Sequence, residues 1–158
     1  MLFLWLLIQW NPTASANPCY EKATKLVVSS QNHRLYLCEP PYTAPIAYRV
    51  SLGTHGIGKR ALGDHKTPLG VYSLGSPRSS HRFHLFIPIG YPTPEQIRKG
   101  FTGADIGLHG PPRWIAWWGE ITRLIDWTDG CIAVGTDREI EKISSWIKAR
   151  NPKTIDIR

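Results

Sequence analysis

From residue 25 to the end, the chain is cut into short apolar runs, and glycine or proline interrupts almost every one. That punctuation constrains the fold more than any other feature, because a helix needs an unbroken run of about ten residues and a strand only about five. "KLVVSS" and "RLYLC" are joined by "QNH" and predict a hairpin. "PIAYRVSLGT", "PLGVYSL", "HRFHLFIPIG", "DIGLHG", "GCIAVG" and "KTIDIR" predict further strands. Close spacing with fourteen glycines and thirteen prolines implies a mainly β sandwich or barrel. One helix is clear in the C-terminal half. Thr136 and Glu139 form a capping box, Ile140, Ile143 and Ile147 recur at helical spacing, and Asn151-Pro152 stops the run. A shorter helix is expected from Thr93-Pro94 through "EQIRKG". No internal repeat or linker divides residues 17–158, which read as a single domain.

The chain opens on "MLFLWLLIQW", an apolar run too short to span a bilayer, which takes roughly 20 residues. Its length suits the apolar region of a signal peptide, and Ala14-Ser15-Ala16 supplies a small-x-small cleavage site. Residues 1–16 are therefore expected to be a signal, although no Lys or Arg precedes the apolar run. Cys19 is not a lipid anchor, because Pro18 stands where a small residue should precede it. Export to the periplasm or cell envelope follows, with no stable transmembrane segment. The formal net charge of +7 suits an anionic wall or membrane surface. Lys and Arg are scattered without a stripe, so solubility alone would also account for the charge, and nucleic acid is not an expected partner. An oxidising compartment permits disulfides. Of the three cysteines, Cys19 and Cys38 flank the predicted hairpin and are the expected pair, which leaves Cys131 over.

"GTHGIGKR" resembles the start of a phosphate-binding loop, but Arg60 follows Lys59 where Ser or Thr should hold magnesium, and the next residues cannot open a helix. The six histidines do not make a metal site. His81 and His84 should point to opposite faces of one strand, and His109, Asp129 and Cys131 lack a fourth ligand. No cofactor is expected.

"WTDGCIAVGT" carries the leftover thiol. Free cysteine is often simply buried. As a nucleophile, Cys131 would need a base, and His109 in "GLHG" stands at a strand end between glycines. Gly130 allows a sharp turn, after which the Gly130 and Cys131 N–H groups could face an oxyanion. Thr128 and Asp129 are placed to fix that turn or to orient the imidazole. The pattern leaves a structural cysteine and a catalytic Cys-His pair both open.

These residues resemble the L,D-transpeptidase catalytic domain, also called the YkuD domain. "LHG" and "TDGC" match its His-Gly and its Ser/Thr-x-Gly-Cys, "GKRALGDHKTPLGVYSL" is similar to its Gly-Asp and Thr-Pro-x-Gly-x-Tyr, and "FIPIGYP" is similar to its Tyr-Pro segment. The likeness runs over about residues 24–158. It implies a mainly β fold and a cysteine acyl-transfer enzyme acting on peptidoglycan stem peptides. Cys131 would attack the bond between the third and fourth residues of a stem tetrapeptide. D-Ala would leave, and an amine of another stem or of an anchored wall protein would resolve the thioester. His109 would be the base, with Thr128, Gly130, Gly110 and the Cys131 backbone shaping the site and Tyr91 touching substrate. Three features depart from the pattern. Asp129 replaces a frequent His, Ala133 replaces a frequent Arg or Asn, and a long loop holds Trp114, Trp117, Trp118 and Trp127. The missing side chain at 133 shifts the hold on a substrate carboxylate to Arg113, Arg123 or the Trp-rich loop. A thiol hydrolase on the same scaffold and an inactive wall-binding module are the alternatives.

Overall fold

The computed structural model describes residues 18–19, 23–41 and 45–158, with the side chains of Glu120 and Arg123 outside that description. The expected signal, residues 1–16, lies outside the described residues. Among the described residues, nine strands and two α-helices follow in chain order: β1 Lys25–Ser29, β2 Arg34–Cys38, β3 Ile46–Ser51, β4 Gly70–Ser73, β5 Arg78–Ser80, β6 His84–Pro88, α1 Pro94–Arg98, β7 Gly107–His109, β8 Ile132–Val134, α2 Asp137–Arg150 and β9 Thr154–Ile157. A 3₁₀ segment over Ala116–Arg123 breaks at Gly119.

All nine strands join one sheet in the order β4-β9-β1-β2-β3-β8-β7-β6-β5. The β1–β9 and β7–β8 pairs are parallel and the others antiparallel. The sheet curls until its ends meet. Gly75 N–H donates to Pro88 O at 2.8 Å, and Gly90 N–H donates to Ser73 O at 2.9 Å. That closure hides backbone that an open edge would leave unpaired.

The core fills the curl. Leu26, Val28, Leu35, Leu37, Val50, Ile87, Leu108, Ile132 and Ile155 are all buried there, and α2 covers it with Ile140, Ile143 and Ile147. Thr136 and Glu139 make the reciprocal capping bonds at the start of α2, and Asn151 ends it in the left-handed region at φ 49°. Thr93 and Gln96 cap α1 in the same way. The apolar run 81–90 is not one strand, since residues 81–83 turn and pairing begins at His84, whose φ is 62°. The strand β5 arises where the sequence shows no apolar alternation, because "RSS" is held by pairing to β6 alone. No helix among the described residues is long and apolar enough to cross a membrane.

On the other face of β1, Val27 packs against a second cluster built on the Cys19–Cys38 disulfide, whose Cα atoms are 5.3 Å apart. The bridge ties the segment before β1 to the end of β2. A cross-link closing a loop of this size stabilises by about 3 kcal/mol in the chain-entropy model. Replacing both cysteines with alanine should lower the unfolding free energy by about that amount in urea titrations. An unchanged midpoint would show that the bridge contributes nothing.

Candidate active site

The site grows from one rung of the sheet. Arg78 on β5 faces Phe86 on β6, Phe86 faces His109 on β7, His109 faces Ala133 on β8, and Ala133 faces Ser51 on β3. Residues directly opposite share a face. The other face of β7 and β8 carries Leu108, Ile132 and Val134 into the core. Cys131 lies two residues before Ala133, so it points to the same side as His109. A cleft of about 630 Å³ opens there, and Cys131, His109, Thr128, Trp127 and Trp114 are among its walls.

His109 is buried and tightly placed. Its ring stacks on Phe83 with centroids 3.7 Å apart and planes 19° apart, while Phe86 and Trp127 stand 6.1 and 5.8 Å away. Its Nδ1 is 2.6 Å from the Gly110 carbonyl oxygen. A carbonyl only accepts, so Nδ1 carries the hydrogen, and Nε2 of the neutral ring keeps a free lone pair. Burial pushes the imidazole pKa down to about 4, against the Gly110 hydrogen bond, and the nearby Arg82 charge lowers it further. The Cys131 thiol is partly exposed and points its hydrogen at Asp105 O, 3.5 Å away. Burial pushes its pKa up to about 11, opposed by the Gly107 N–H and by Arg82, while Asp129 and Asp105 add to the rise. Both groups therefore rest neutral, a thiol and an imidazole on the walls of one cleft.

The lowered His109 value has a consequence for stability. Unfolding restores an ordinary histidine near 6.5, so between about pH 6.5 and 4 the unfolded chain binds a proton that the folded chain refuses. This contribution is present above 6.5 and is lost as pH falls towards 4. It is worth about 3 kcal/mol across that window. Denaturant unfolding at pH 7 and pH 4.5 should show a smaller acid loss for His109→Gln than for the unchanged chain. Equal losses would mean that His109 does not titrate this way.

The turn before the thiol is built from Thr128 and Gly130. Gly130 sits at φ 125°, and a Cβ there would come within 2.5 Å of Lys66 O. Thr128 Oγ1 accepts from Gly130 N–H at 3.1 Å and donates to Cys131 O at 2.7 Å. Thr128 is itself clamped to the end of β3, since its N–H reaches Leu52 O and its carbonyl accepts from Thr54 N–H. Two expectations change here. The Gly130 N–H is already engaged by Thr128, so it does not face the cleft as an oxyanion donor. Asp129 does not orient the imidazole, because its carboxylate binds His65 Nδ1 at 2.8 Å at the cleft wall, while Gly110 holds His109.

The remaining expected residues scatter. Gly110 is packed so closely that a Cβ would meet Asp137 and Ile140 at 3.1 Å. Tyr91 is in the core, edge-on to Tyr72 with its hydroxyl donated to Thr102 O, and it does not line the cleft. Arg113 is exposed and also off the cleft, and the Arg123 side chain lies outside the described ones. Trp114 is on the rim, 72% exposed. Trp117 and Trp118 are exposed and face each other edge-on outside the cleft. Among the described residues no group of three or more His, Cys, Asp or Glu is placed to hold a metal. His84 bonds Glu141 instead, 2.8 Å away.

Sequence reasoning gave the supports no role, although the Gly-Asp motif was visible. Gly63-Asp64 is the hub of the loop beside the cleft. Partial burial pushes the Asp64 carboxyl up, but the Ala61 amide, the Lys59 ammonium and the amides of Arg60 and Lys66 hold it well below the usual carboxylate range. Asp126 anchors the returning loop by accepting from Leu52 N–H at 2.7 Å and meeting His33 at 3.0 Å. Arg78 and Arg82 line the cleft as well, and only the β5–β6 register places them there.

The description "L,D-transpeptidase catalytic domain" belongs to the YkuD family model that matches residues 23–155. The helical cell shape determining protein Pgp2 from Campylobacter jejuni superposes with a TM-score of 0.67 at 23% identity, over 85% of this chain and 46% of that one. Bd1075 from Bdellovibrio bacteriovorus gives 0.60 at 25% identity, over 86% and 48%. An L,D-transpeptidase from Mycobacterium smegmatis gives 0.52 at 10% identity, over 85% and 58%. The chain thus spans about half the length of these structures. No curated protein matches it.

Proposed function

The chain belongs to the L,D-transpeptidase catalytic-domain family, and we propose that it is an exported, cysteine-dependent L,D-transpeptidase that remodels peptidoglycan in the periplasm or cell envelope. One observation carries this reading. The free thiol of Cys131 and a histidine held in a single tautomer share one face of the sheet and one cleft.

Both groups rest neutral, so attack and proton transfer proceed together. His109 Nε2 takes the proton from Cys131 Sγ as sulfur adds to the carbonyl of the third stem residue. The oxyanion forms beside the Cys131 backbone, the donor left once Gly130 N–H is engaged by Thr128. As the tetrahedral species collapses, His109 returns the proton to the leaving amine of D-Ala, and the acyl group stays on sulfur as a thioester. An incoming amine gives up a proton to His109 and takes the acyl group, which regenerates the thiol. The acceptor is an amine of a second stem or of an anchored wall protein. Release of D-Ala from a purified stem tetrapeptide, followed by mass spectrometry, tests the reading. Release that continues in Cys131→Ala would remove it.

Hydrolysis is the second reading, and Ala133 favours it. This position is fully buried and offers no donor to hold a second substrate. Transfer is the expected outcome because the rest of the motif, Thr128, Gly130, Cys131 and His109, is intact in the sequence. With a D-amino acid added as competing amine, exchanged peptide should appear and grow with amine concentration. Shortened peptide alone at every concentration would make the protein a hydrolase.

A further inference from the structure

Two guanidinium groups stand in the cleft without an assigned task. Arg78 Cζ lies 5.0 Å from the Phe86 ring centroid, and Arg82 Cζ lies 5.0 Å from that of Phe83. The two rings are the ones that pack around His109. A cation–π contact of this kind engages the guanidinium through the ring face and leaves N–H donors available. Neither side chain has a hydrogen-bond or ion-pair partner among the described residues, although both line the cleft. The acidic groups of the cleft, Asp105 and Asp129, are both close enough to act on the Cys131 thiol. The cleft is thus cationic across β7 and acidic beside the nucleophile.

We propose that Arg78 and Arg82 form a carboxylate subsite that binds the free chain end of the leaving residue, so that the site selects stems ending one residue past the scissile bond. This rests on the transpeptidase reading above. The direction follows from the chemistry. His109 must deliver its proton to the leaving amine, so the leaving residue lies on the His109 side of the thiol. Its terminal carboxylate is one residue from the scissile carbonyl. Continuing from β8 across β7, the next cations met are those carried by β5 and by the turn before β6. A rigid guanidinium fork matches a carboxylate through paired N–H···O bonds, which an ammonium cannot do. The rung itself explains the vacancy at position 133. Arg78 and Ala133 are its two flanks around Phe86 and His109, and the cation is at the far one.

The test compares a stem tetrapeptide with its C-terminal amide, which differs only in the charge at the chain end. The readout is kcat/KM for acylation of Cys131 in the whole chain. The acid should react about tenfold to a hundredfold faster than the amide. Arg78→Gln with Arg82→Gln should remove most of that advantage, so that the ratio of the acid rate to the amide rate falls towards one whatever happens to the two rates themselves. Arg82→Lys should recover part of it, since charge returns without the fork. Melting curves accompany each variant, and both residues are exposed, so folding should hold. Equal rates for acid and amide in the unchanged chain would overturn the subsite and leave the enzyme reading intact. Variants that keep the acid-to-amide ratio of the unchanged chain would also overturn it, because a structural or purely electrostatic role acts on both peptides alike. No acylation by either peptide would remove the proposed function, and the subsite with it.

Discussion

Replacing His109 with alanine is expected to slow acylation of Cys131 by about two to four orders of magnitude. The size follows from the resting state of the pair. A thiol held near 11 is almost wholly protonated at neutral pH, so no standing thiolate can carry the reaction without a base. The imidazole near 4 is free to accept a proton over the whole neutral range. In the unchanged chain, acylation should therefore be flat across neutral pH and fall as pH drops through about 4, where the ring is already protonated. The variant should lose that acid limb and gain rate as pH rises towards 11, where the thiol ionises unaided. Stopped-flow acylation across pH reads both limbs. A variant that keeps the acid limb would assign it to another group. A variant as fast as the unchanged chain at pH 7 would exclude His109 as the base.

Gly130→Ala is the second large effect. At φ 125° an L side chain is strained, which costs about 1–3 kcal/mol. The added Cβ also lands 2.5 Å from Lys66 O, and a backbone carbonyl has little room to yield. Relief requires the Thr128–Cys131 turn to move, and a shift of about 1 Å at the nucleophile can cost a hundredfold in rate. The variant should unfold at lower urea and acylate at least about a hundredfold more slowly. Gly100→Ala separates the two causes. It lies off the cleft at φ 81° with nothing within 4 Å of the added carbon, so it should show strain alone and keep its acylation rate. If Gly130→Ala behaves like Gly100→Ala, the close approach to Lys66 does not shape the site.

How much of this was legible in the sequence depends on the range of each interaction. The hairpin β1–β2 and helix α2 were plain, because alternation, capping and the Ile140/Ile143/Ile147 spacing are local. Cys131 and His109 could be singled out because glycine flanks each in sequence. What turned on pairing across the sheet was not legible. Asp129 finds His65, 64 residues away, so its proximity to the thiol in sequence misled about its role. The Gly130 amide was read as free because its bond to Thr128 depends on the turn geometry. Tyr91 was read as a substrate contact from its motif, yet the fold buries the ring against Tyr72. The strand β5 has no apolar pattern, so neither it nor the placement of Arg78 opposite Phe86 could be anticipated.

The central claim is that Cys131 carries the acyl group, and intact-mass spectrometry of the whole protein mixed with a stem tetrapeptide tests it most directly. The predicted result is a transient species heavier by the acyl fragment, mapped to Cys131, reversed by hydroxylamine and absent in Cys131→Ala. An adduct that persists in Cys131→Ala, or D-Ala released with no dependence on that thiol, would contradict it.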